Sequence, residues 1–432
     1  MKAERTVYVN HFTDGVLDPN IKMEYVVEDG GMIIANTAPG CWGPMITPAL
    51  KGGHEVTKPV YIEGAEVGDA IAISIEDIYI TSQVTASGND QPTEGNYTDD
   101  AFVDAKCPNC GTINPETEIV GIGMDAIRCK NCGEPFLPFE LTHAYTMGLD
   151  PKKKFGITLD QETAEKVAAE PHKYMKTPES SIQNPIVSLA PHDLTGTIAR
   201  IRPFLGQLGT MPAQAFPDSH NAGDFAQALL GASHDYGKTE SDLTHRTDGH
   251  MDINRVREGA ILIAPVKVEG AGVYLGDMHA MQGNGEIAGH TTDVAGIAQL
   301  KVDVLKNIQL EGPILLPLEE DLPYLAKPYT KAERKEAKQV AKQWDNVKLE
   351  KSYPISFIGT GANLNEATDN GLERAAKLFE VSVPEIMNRA TITGSIDIGR
   401  NPGVVTVTFL APKEHLETAG LYNIVKNRYK EN

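Results

Sequence analysis

The sequence predicts a mostly β protein with a smaller α+β part. Short runs of alternating apolar and polar residues, rich in β-branched side chains, recur before residue 310, as in VYIEGAEVGDAIAISIEDIYI (60–80); this alternation is typical of strands. Helical periodicity is concentrated after residue 330, and two CxxC pairs interrupt the β pattern. We therefore predict a β-sandwich or partly closed barrel as the core. The predicted parts are an N-terminal β domain (1–100), a zinc-ribbon insertion (101–140), a central β domain (141–310) and a C-terminal α+β part (311–432).

The composition narrows the choice of partners. The chain has 432 residues and a net charge of −20, from 59 acidic and 39 basic residues. Such an acidic surface disfavours nucleic acid and anionic membranes as partners. The sequence has no apolar run near the roughly 20 residues needed to span a bilayer, and MKAERTVYVNHF at its start lacks the apolar core of a signal peptide. We expect a cytoplasmic protein that binds neither nucleic acid nor membrane.

A loop rich in Gly and Pro follows the first predicted strands. It reads NTAPGCWGPMITPALKGGHEVTK (36–58), and long loops of this kind often carry function. It contains Cys41, the one cysteine outside the CxxC pairs. A nucleophilic cysteine needs a Glu and a Lys beside it, and the local sequence does not supply such a pair convincingly, so we interpret Cys41 as structural. His54 is a better candidate, since it could reach the polar cluster of the central segment.

Four cysteines form two CxxC pairs with the spacing of a zinc ribbon. Cys107 and Cys110 make the first pair, Cys129 and Cys132 the second, and residues 111–128 separate them. Four thiolates complete a tetrahedral zinc site and leave no position for water, so the predicted zinc is structural. Two unrelated dithiol pairs are the alternative interpretation.

The segment between the ribbon and the central cluster predicts one clear helix. It covers Leu159–Ala169, with Asp160 as its cap. A β pattern returns at 186–214. The polar stretch 216–247, with a short helix at Asp224–Leu230 and with His220, is either a lid or a variable surface insertion.

Groups able to perform acid–base or metal chemistry concentrate between positions 245 and 290. Apolar runs at 260–268 and 271–275 predict two buried strands whose ends carry these groups. His250 and Asp252 lie two residues apart, as do Asp277 and His279, so each pair shares one face of an extended chain. The pattern indicates a divalent metal site, a general base, or both. Buried structural hydrogen bonds at strand ends are the alternative.

The last third alternates strands and helices. TKAERKEAKQVAKQWDNVK (330–348) predicts a charged amphipathic helix with a solvated face. Two more helices are predicted at about 368–380 and 383–390, before the strand GVVTVTFLAP.

Several strings resemble the acetamidase/formamidase family. DGHMDI (248–253) is similar to the family's Gly-Gly-Asn-x-Asp, and GDMHAMQGNGEIAG (276–289) to its Gly-Asp-x-His-x-x-x-Gly-x-Gly-Glu. KPVYIEGAEVGDAIAISIEDI (58–78) and ATITGSIDIGRNPGVVTVTFLAP resemble its N-terminal and C-terminal segments. The sequence departs from the pattern at Asp248, which replaces a Gly, and at His250, which replaces an Asn. These departures bear on metal identity and substrate range.

The resemblance implies an amidohydrolase that cleaves the C–N bond of a small linear amide, such as formamide or acetamide, and works as a homo-oligomer. The His and Asp residues of the central cluster predict a second divalent metal there, besides the ribbon zinc. We predict Glu286 as general base and then acid, and His279 as metal ligand or substrate contact. The full set is Glu286, His279, Asp277 and Asp252 as catalytic residues, with His250, His54 and His245 as substrate or second-metal candidates. A non-catalytic zinc-ribbon interaction protein on the same scaffold is the alternative.

Overall fold

The computed structural model describes residues 2–40, 46–98, 104–218, 230–232 and 234–429. Cys41, His220 and all but the last residue of the predicted helix Asp224–Leu230 lie outside these ranges. Among the residues inside them, no helix is both long enough and apolar enough to cross a membrane.

Strands dominate the described chain. They are β1 (Glu4–Val9), β2 (Val16–Leu17), β3 (Tyr25–Thr37), β4 (Val60–Ile62), β5 (Ala70–Ile80), β6 (Val84–Ala86), β7 (Asn89–Pro92), β8 (Thr117–Ile119), β9 (Ile127–Cys129), β10 (Phe139–Thr142), β11 (Tyr145–Leu149), β12 (Phe155–Thr158), β13 (Ile198–Arg200), β14 (Phe204–Gly209), β15 (Phe216–Pro217), β16 (Ile261–Pro265), β17 (Tyr274–His279), β18 (Gly296–Leu305), β19 (Ile314–Leu316), β20 (Ser352–Thr360), β21 (Ser395–Arg400) and β22 (Val404–Pro412).

The helices lie mostly in the last third, as the sequence predicts. They are α1 (Gln161–Ala168), α2 (Pro171–Tyr174), α3 (Lys331–Gln343), α4 (Leu364–Phe379), α5 (Val383–Thr393), α6 (Lys413–Thr418) and α7 (Tyr422–Arg428), with short 3₁₀ turns at Ile186–Leu189, Glu240–His245, Glu319–Asp321 and Tyr324–Ala326. Asp160 caps α1 by accepting the N–H of Thr163. Thr330 and Glu333 cap α3 reciprocally.

One large mixed sheet organises the molecule. It has ten strands, in the order β1-β3-β18-β5-β16-β19-β20-β22-β21, with β4 pairing beside β3. The β1–β3 and β3–β4 pairs are parallel and the other pairs are antiparallel. The sheet is open, and its described strands do not close into a barrel. The mostly β core that we predicted is confirmed. Of its two predicted forms, a β-sandwich or a partly closed barrel, no closed barrel is found among the described strands, because alternation in a sequence indicates strands but not which distant strand each one pairs with.

Two apolar layers pack on this sheet. The two-stranded β14–β17 sheet buries Leu205, Leu208, Leu275 and Met278 in one core cluster with residues of β3, β5 and β18. In the C-terminal part, α4 packs against β20 and β22, and its Phe379 stacks edge-on against Phe357 and Phe409. The predicted α+β character of that part agrees with these contacts. The first layer carries the residues of the candidate site.

Candidate active site and metal centres

Three chain segments meet beside strand β14 and bring the central polar residues together. β17 runs antiparallel to β14, with Phe204 opposite His279 and Gln207 opposite Gly276. On the other side of β14, the N–H groups of Met251 and Asp252 both donate to Gly206 O, at 3.0 and 3.1 Å. Both segments are thus fixed to one strand by backbone hydrogen bonds, and their polar side chains converge.

His54 reaches the same place from the N-terminal loop. Thr57 N donates to Leu275 O at 2.9 Å, and Leu275 N donates to Thr57 Oγ1 at 3.1 Å, so residues around Thr57 run alongside β17. His54 Nε2 lies 3.7 Å from Asp277 Oδ1. We predicted that His54 could reach the cluster from its place before the strand of the N-terminal motif, and in the structure its ring lies beside Asp277.

Asp252, Asp277 and His279 form the first group of ligand atoms. His279 Nε2 lies 3.1 Å from Asp277 Oδ2 and 3.4 Å from Asp252 Oδ1. All three residues are fully buried or nearly so. The nitrogen and the two oxygens face one another across a space of atomic size, which is the arrangement of three ligands around a cation.

His54, His250 and Asp277 form the second group. His250 Nε2 lies 3.7 Å from Asp277 Oδ2, and the two imidazole rings meet edge to face with centroids 4.6 Å apart. Both groups contain Asp277, whose Oδ1 faces His54 while its Oδ2 faces His250 and His279. The geometry fits two adjacent cation sites that share the Asp277 carboxylate.

The backbone leaves room for a cation in front of these ligands. A methyl group added at Gly206 would lie only 2.5 Å from Asp252 Oδ1, 2.6 Å from Asp277 Oδ2 and 2.7 Å from His279 Nε2. Those three atoms, although buried, make no hydrogen bond of good geometry within the described chain. Buried polar atoms nearly always have a partner, so their arrangement fits a bound metal ion.

Two further residues orient the histidines. Asp293 Oδ1 lies 3.2 Å from His279 Nδ1, and Gln207 Oε1 lies 3.0 Å from His54 Nδ1. The Gln207 contact is a hydrogen bond to His54 Nδ1, and the Asp293 contact places a carboxylate oxygen within ion-pair distance of His279 Nδ1; in both rings Nε2 is left for the interior of the cluster. A partner on the outer nitrogen is the usual support of a metal-binding histidine. Sequence reasoning missed both residues.

Arg400 enters the site from the C-terminal part. Its Nη1 lies 2.7 Å from Asp252 Oδ2 and 2.9 Å from Glu286 Oε2, and its Nη2 donates to Gly289 O at 3.2 Å. Asn401 N donates to Gly285 O at 2.8 Å, which fixes the end of β21 to the turn before Glu286. Arg400 therefore connects Glu286, the predicted base, to Asp252 of the first group. The sequence reading did not single out this residue.

Three acidic residues of the site adopt left-handed backbone conformations. The φ angles are 49° at Asp252, 50° at Asp277 and 41° at Glu286. Non-glycine residues seldom adopt such angles, and they persist only where the surrounding structure enforces them. Their concentration in one cluster is typical of a functional site.

Burial and neighbouring charges shift the protonation of the cluster in opposite directions. Burial lowers the pKa of His54 to about 4, although Asp277 opposes the shift. Burial also disfavours the charged form of His279, but Asp277 and Asp252 outweigh it and raise the pKa of His279 well above its usual value. Because a histidine binds metal in its neutral form, a cation in this group competes with that proton.

Glu286 experiences two opposing effects. Its burial raises the pKa of its carboxyl well above the usual value, while the guanidinium of Arg400 lowers it. Arg400 is divided between Glu286 and Asp252, and the Asp252 and Asp277 carboxylates add to the effect of burial. We therefore take burial to dominate, so that Glu286 can hold a proton at the pH where an ordinary carboxyl loses it.

Comparison with known proteins identifies the protein family. The family model described as the Acetamidase/Formamidase family matches residues 19–417. The chain belongs to the Acetamidase/Formamidase family.

One curated protein is similar to part of this chain. A protein of Schizosaccharomyces pombe (strain 972) named "Putative formamidase" is 25% identical over 273 residues, which cover 61% of this chain and 56% of that protein. The match thus spans little more than half the length of this curated relative.

Solved structures of similar proteins show the same fold. A "predicted acetamidase/formamidase" of Thermoanaerobacter tengcongensis aligns with a TM-score of 0.53 and 17% identity, covering 96% of this chain and 98% of that one. Acetamidases of Yersinia enterocolitica and Bacillus halodurans align at 0.52 and 0.51, each with 17% identity, covering 96% of this chain and 94% and 99% of theirs.

Two residues of the central segment do not join the cluster of this family member. His245 is exposed at the end of a 3₁₀ turn, and its carbonyl accepts the N–H of Ala213. The structure therefore gives no support to His245 as a ligand. Asp248, which departs from the family pattern, is buried in an ion pair with Arg374 and lies 3.0 Å from Arg246 Nε. Its carboxylate holds structure and does not face the ligand groups.

The four ribbon cysteines form a separate group. Cys107 Sγ lies 3.9 Å from Cys132 Sγ, and Cys110 Sγ lies 3.9 Å from Cys129 Sγ. Four sulfurs bound tetrahedrally at about 2.3 Å from zinc would be about 3.8 Å apart. Gly111 N donates to Cys107 O and Gly133 N to Cys129 O, both at 2.8 Å, so each pair ends in the tight turn that a zinc knuckle requires. The arrangement fits the predicted tetrahedral site.

Proposed function

We propose that this chain hydrolyses small linear amides, such as formamide or acetamide, to a carboxylate and ammonia, with divalent metal ions at the central cluster. Membership of the Acetamidase/Formamidase family supports the reaction class. The observation that carries the metal assignment is the Asp277 carboxylate shared by two buried groups of ligand atoms. Because this site lies inside the fold, its substrate must be small: His54, Asp277 and Glu286 are each at most 3% exposed.

The residues that would hold the metals follow from the geometry. Asp252, Asp277 and His279 would bind one ion, and His54, His250 and Asp277 a second. When bound, such ions polarise the amide carbonyl and lower the pKa of a bound water. Gln207 contacts His54 Nδ1 and Asp293 contacts His279 Nδ1, so that each ring presents its Nε2 to the proposed metal.

Glu286 is the residue that we propose to move protons. Its carboxylate accepts a proton from the attacking water and then delivers it to the departing nitrogen. Its raised pKa suits both steps, because the carboxyl must hold the proton between them. Arg400, 2.9 Å away, keeps the carboxylate oriented towards the cluster.

Replacing Glu286 with Gln tests this role. The amide has nearly the shape of the carboxyl but cannot carry the proton, so turnover should fall by about 10²–10⁴ while folding and metal content stay near wild type. Ammonia release from formamide and acetamide measures turnover. Glu258→Gln is the matched control, because Glu258 is exposed and its variant should behave as wild type. Wild-type turnover in Glu286→Gln would remove Glu286 from the mechanism.

His279→Ala examines the ligand assignment independently. Loss of this imidazole removes the nitrogen that lies 3.1 Å from Asp277 Oδ2 and 3.4 Å from Asp252 Oδ1, so both metal content and turnover should fall. If His279→Ala stayed active with full metal content, the ligand assignment would be wrong and the cluster would be a set of buried structural contacts.

We also propose that the ribbon binds one structural zinc ion. Cys110→Ser removes one of four thiolates, so it should lower the metal content by about one zinc per chain and destabilise the ribbon, while some turnover remains. Unchanged zinc content and stability would contradict the assignment. Homo-oligomerisation and a cytoplasmic location remain proposals that rest on the family resemblance and on composition, and light scattering on the purified protein tests the first.

A further inference from the structure

We propose that the zinc ribbon positions the catalytic centre: the metal that its cysteines bind holds in place the segment 46–55, which presents His54. This inference rests on the proposed amidase function and gives the ribbon a role beyond its own stability. Two buried hydrogen-bonded paths carry it, and both start at Thr117 on strand β8.

The first path joins the ribbon to the start of the segment. Thr117 lies directly opposite Cys129 in the β8–β9 hairpin, so it is the cross-strand neighbour of a zinc ligand. Its hydroxyl donates to Ile46 O at 2.9 Å. The Ile46 side chain packs in one apolar cluster with Ile127 of β9. The ribbon hairpin therefore holds Ile46 through both its backbone and its side chain.

The second path runs through Asn184. Its Nδ2 donates to Thr117 Oγ1 at 2.8 Å and to Thr117 O at 3.3 Å. Its backbone N–H donates to Thr47 Oγ1 at 2.9 Å. Asn184 is buried, as are Thr117 and Thr47, so these bonds form away from competing water and each lost bond leaves a buried polar group unsatisfied.

The same path continues to the residue next to His54. Two positions before Asn184, Ile182 N donates to Glu55 Oε1 at 2.9 Å, and the Ser181 hydroxyl bonds the other carboxylate oxygen. Glu55 follows His54 directly, and His54 N in turn donates to Asp218 Oδ1 at 3.0 Å. The segment is thus attached to the ribbon near Ile46 and, through residues 181–184, at Glu55.

The ribbon is too small to keep this geometry without its metal. Strands β8 and β9 have three residues each. Besides the cysteines, the apolar cluster around them contains Ala105 and Phe136, with Tyr97 packed against it. Small metal-bound modules obtain their folding free energy from the metal. When the hairpin loosens, Thr117 no longer fixes Ile46 and Asn184, and His54 shifts relative to Asp277. A displacement of 1 Å in a catalytic group costs about 10²-fold in rate.

Thr117→Val tests the coupling while the four cysteines are retained. Valine keeps the shape of threonine but cannot donate to Ile46 O or accept from Asn184. We expect zinc content to remain at the wild-type level and kcat for formamide or acetamide to fall about 10- to 100-fold, with KM changed much less. Thr117→Ser, which keeps the hydroxyl, should restore most of kcat. Glu116→Gln is the matched control, because Glu116 is exposed, adjacent to Thr117 and paired with the exposed Lys130 at 3.1 Å; the kcat of this variant should equal that of wild type.

A merely structural ribbon gives a different result. It would lower the melting temperature of Thr117→Val while kcat per folded molecule stayed at the wild-type value, and that outcome would overturn the proposal. If Thr117→Val does not fold, Asn184→Ala replaces it, with the same expected loss of kcat and the same overturning result. A wild-type protein without activity on any amide would instead count against the proposed amidase function, so the two failures are distinguishable.

Discussion

Gly206→Ala tests the proposed metal site without changing any of its ligand residues. The added methyl carbon would lie 2.5, 2.6 and 2.7 Å from Asp252 Oδ1, Asp277 Oδ2 and His279 Nε2. Ordinary contacts of a Cβ begin at 3.4 Å, so each ligand atom must retreat by about 0.7–0.9 Å. Zinc binds oxygen and nitrogen ligands at about 2.0–2.2 Å, and the methyl group and a metal ion cannot both occupy the space between these three atoms.

The magnitudes follow from this geometry. Overpacking of this kind costs about 1–3 kcal/mol of stability, so the variant should still fold. The metal ion bound by Asp252, Asp277 and His279 should be lost, about one per chain. A metal that stabilises developing charge contributes several kcal/mol, and about 4 kcal/mol corresponds to a 10³-fold change in rate. Turnover should therefore fall by about 10³ or more.

A second glycine on the same strand supplies the control. A methyl group at Gly209 would lie 2.9 Å from Gly249 Cα and 3.2 Å from Tyr274 Oη, and it would touch no ligand. Gly209→Ala should therefore lose stability but keep metal content and kcat. Elemental analysis, ammonia release and thermal unfolding of both variants separate crowding from metal loss. Full metal content and wild-type turnover in Gly206→Ala would refute the assignment of this space to a cation.

Three further predictions concern protonation and orientation. Burial raises the pKa of Glu55 to about 7, above its unfolded value of about 4.3. Between these pH values the folded state binds more protons than the unfolded state, so the free energy of unfolding should fall by about 4 kcal/mol as pH rises, and Glu55→Gln should lack that loss in urea unfolding. Burial would raise the pKa of Asp248, but Arg374 and Arg246 outweigh it and lower this pKa. The Asp248 carboxylate should therefore stabilise the fold fully above its unfolded pKa of about 3.9 and lose this effect as pH falls below it. The stability difference between wild type and Asp248→Asn should narrow in acid. Asp293→Ala removes the partner of His279 Nδ1 and should weaken metal binding by about 10- to 100-fold, as measured by metal titration. Three results would each contradict the corresponding prediction: a wild-type free energy of unfolding that does not change between about pH 4.3 and 7, a stability difference for Asp248→Asn that stays constant in acid, or an unchanged metal affinity in Asp293→Ala.

Local patterns in the sequence carried much of the fold and of the site. Alternation and capping residues indicated the strands and the helices α1 and α3, because these signals depend on neighbours in the chain. The Asp277-x-His279 spacing indicated that both side chains serve one place, and their atoms lie 3.1 Å apart. Asp277 reaches this position through a left-handed conformation, which regular alternation does not anticipate.

Long-range pairing accounts for what the sequence did not indicate. The prediction of a β-sandwich or partly closed barrel did not specify the order of the large open sheet, in which β5 pairs with β16 and β18, far along the chain. Arg400 joins Asp252 across 148 positions, and no periodic signal records such a contact. The string GRNPG, which is typical of a turn, could have indicated that Arg400 lies at the end of a strand. His245 lies close in sequence to the ligands but is exposed, since proximity along the chain does not fix the direction of a side chain.

We propose that metal at the buried cluster makes this family member an amidase. The measurement is ammonia release from formamide and acetamide as divalent metal is returned to protein stripped until about one zinc per chain, the ion proposed for the four cysteines, remains. We predict negligible turnover at that occupancy and a rise in turnover with each metal bound beyond it, absent in His279→Ala. Full turnover with only the ribbon zinc bound, or none at any occupancy, would contradict the claim.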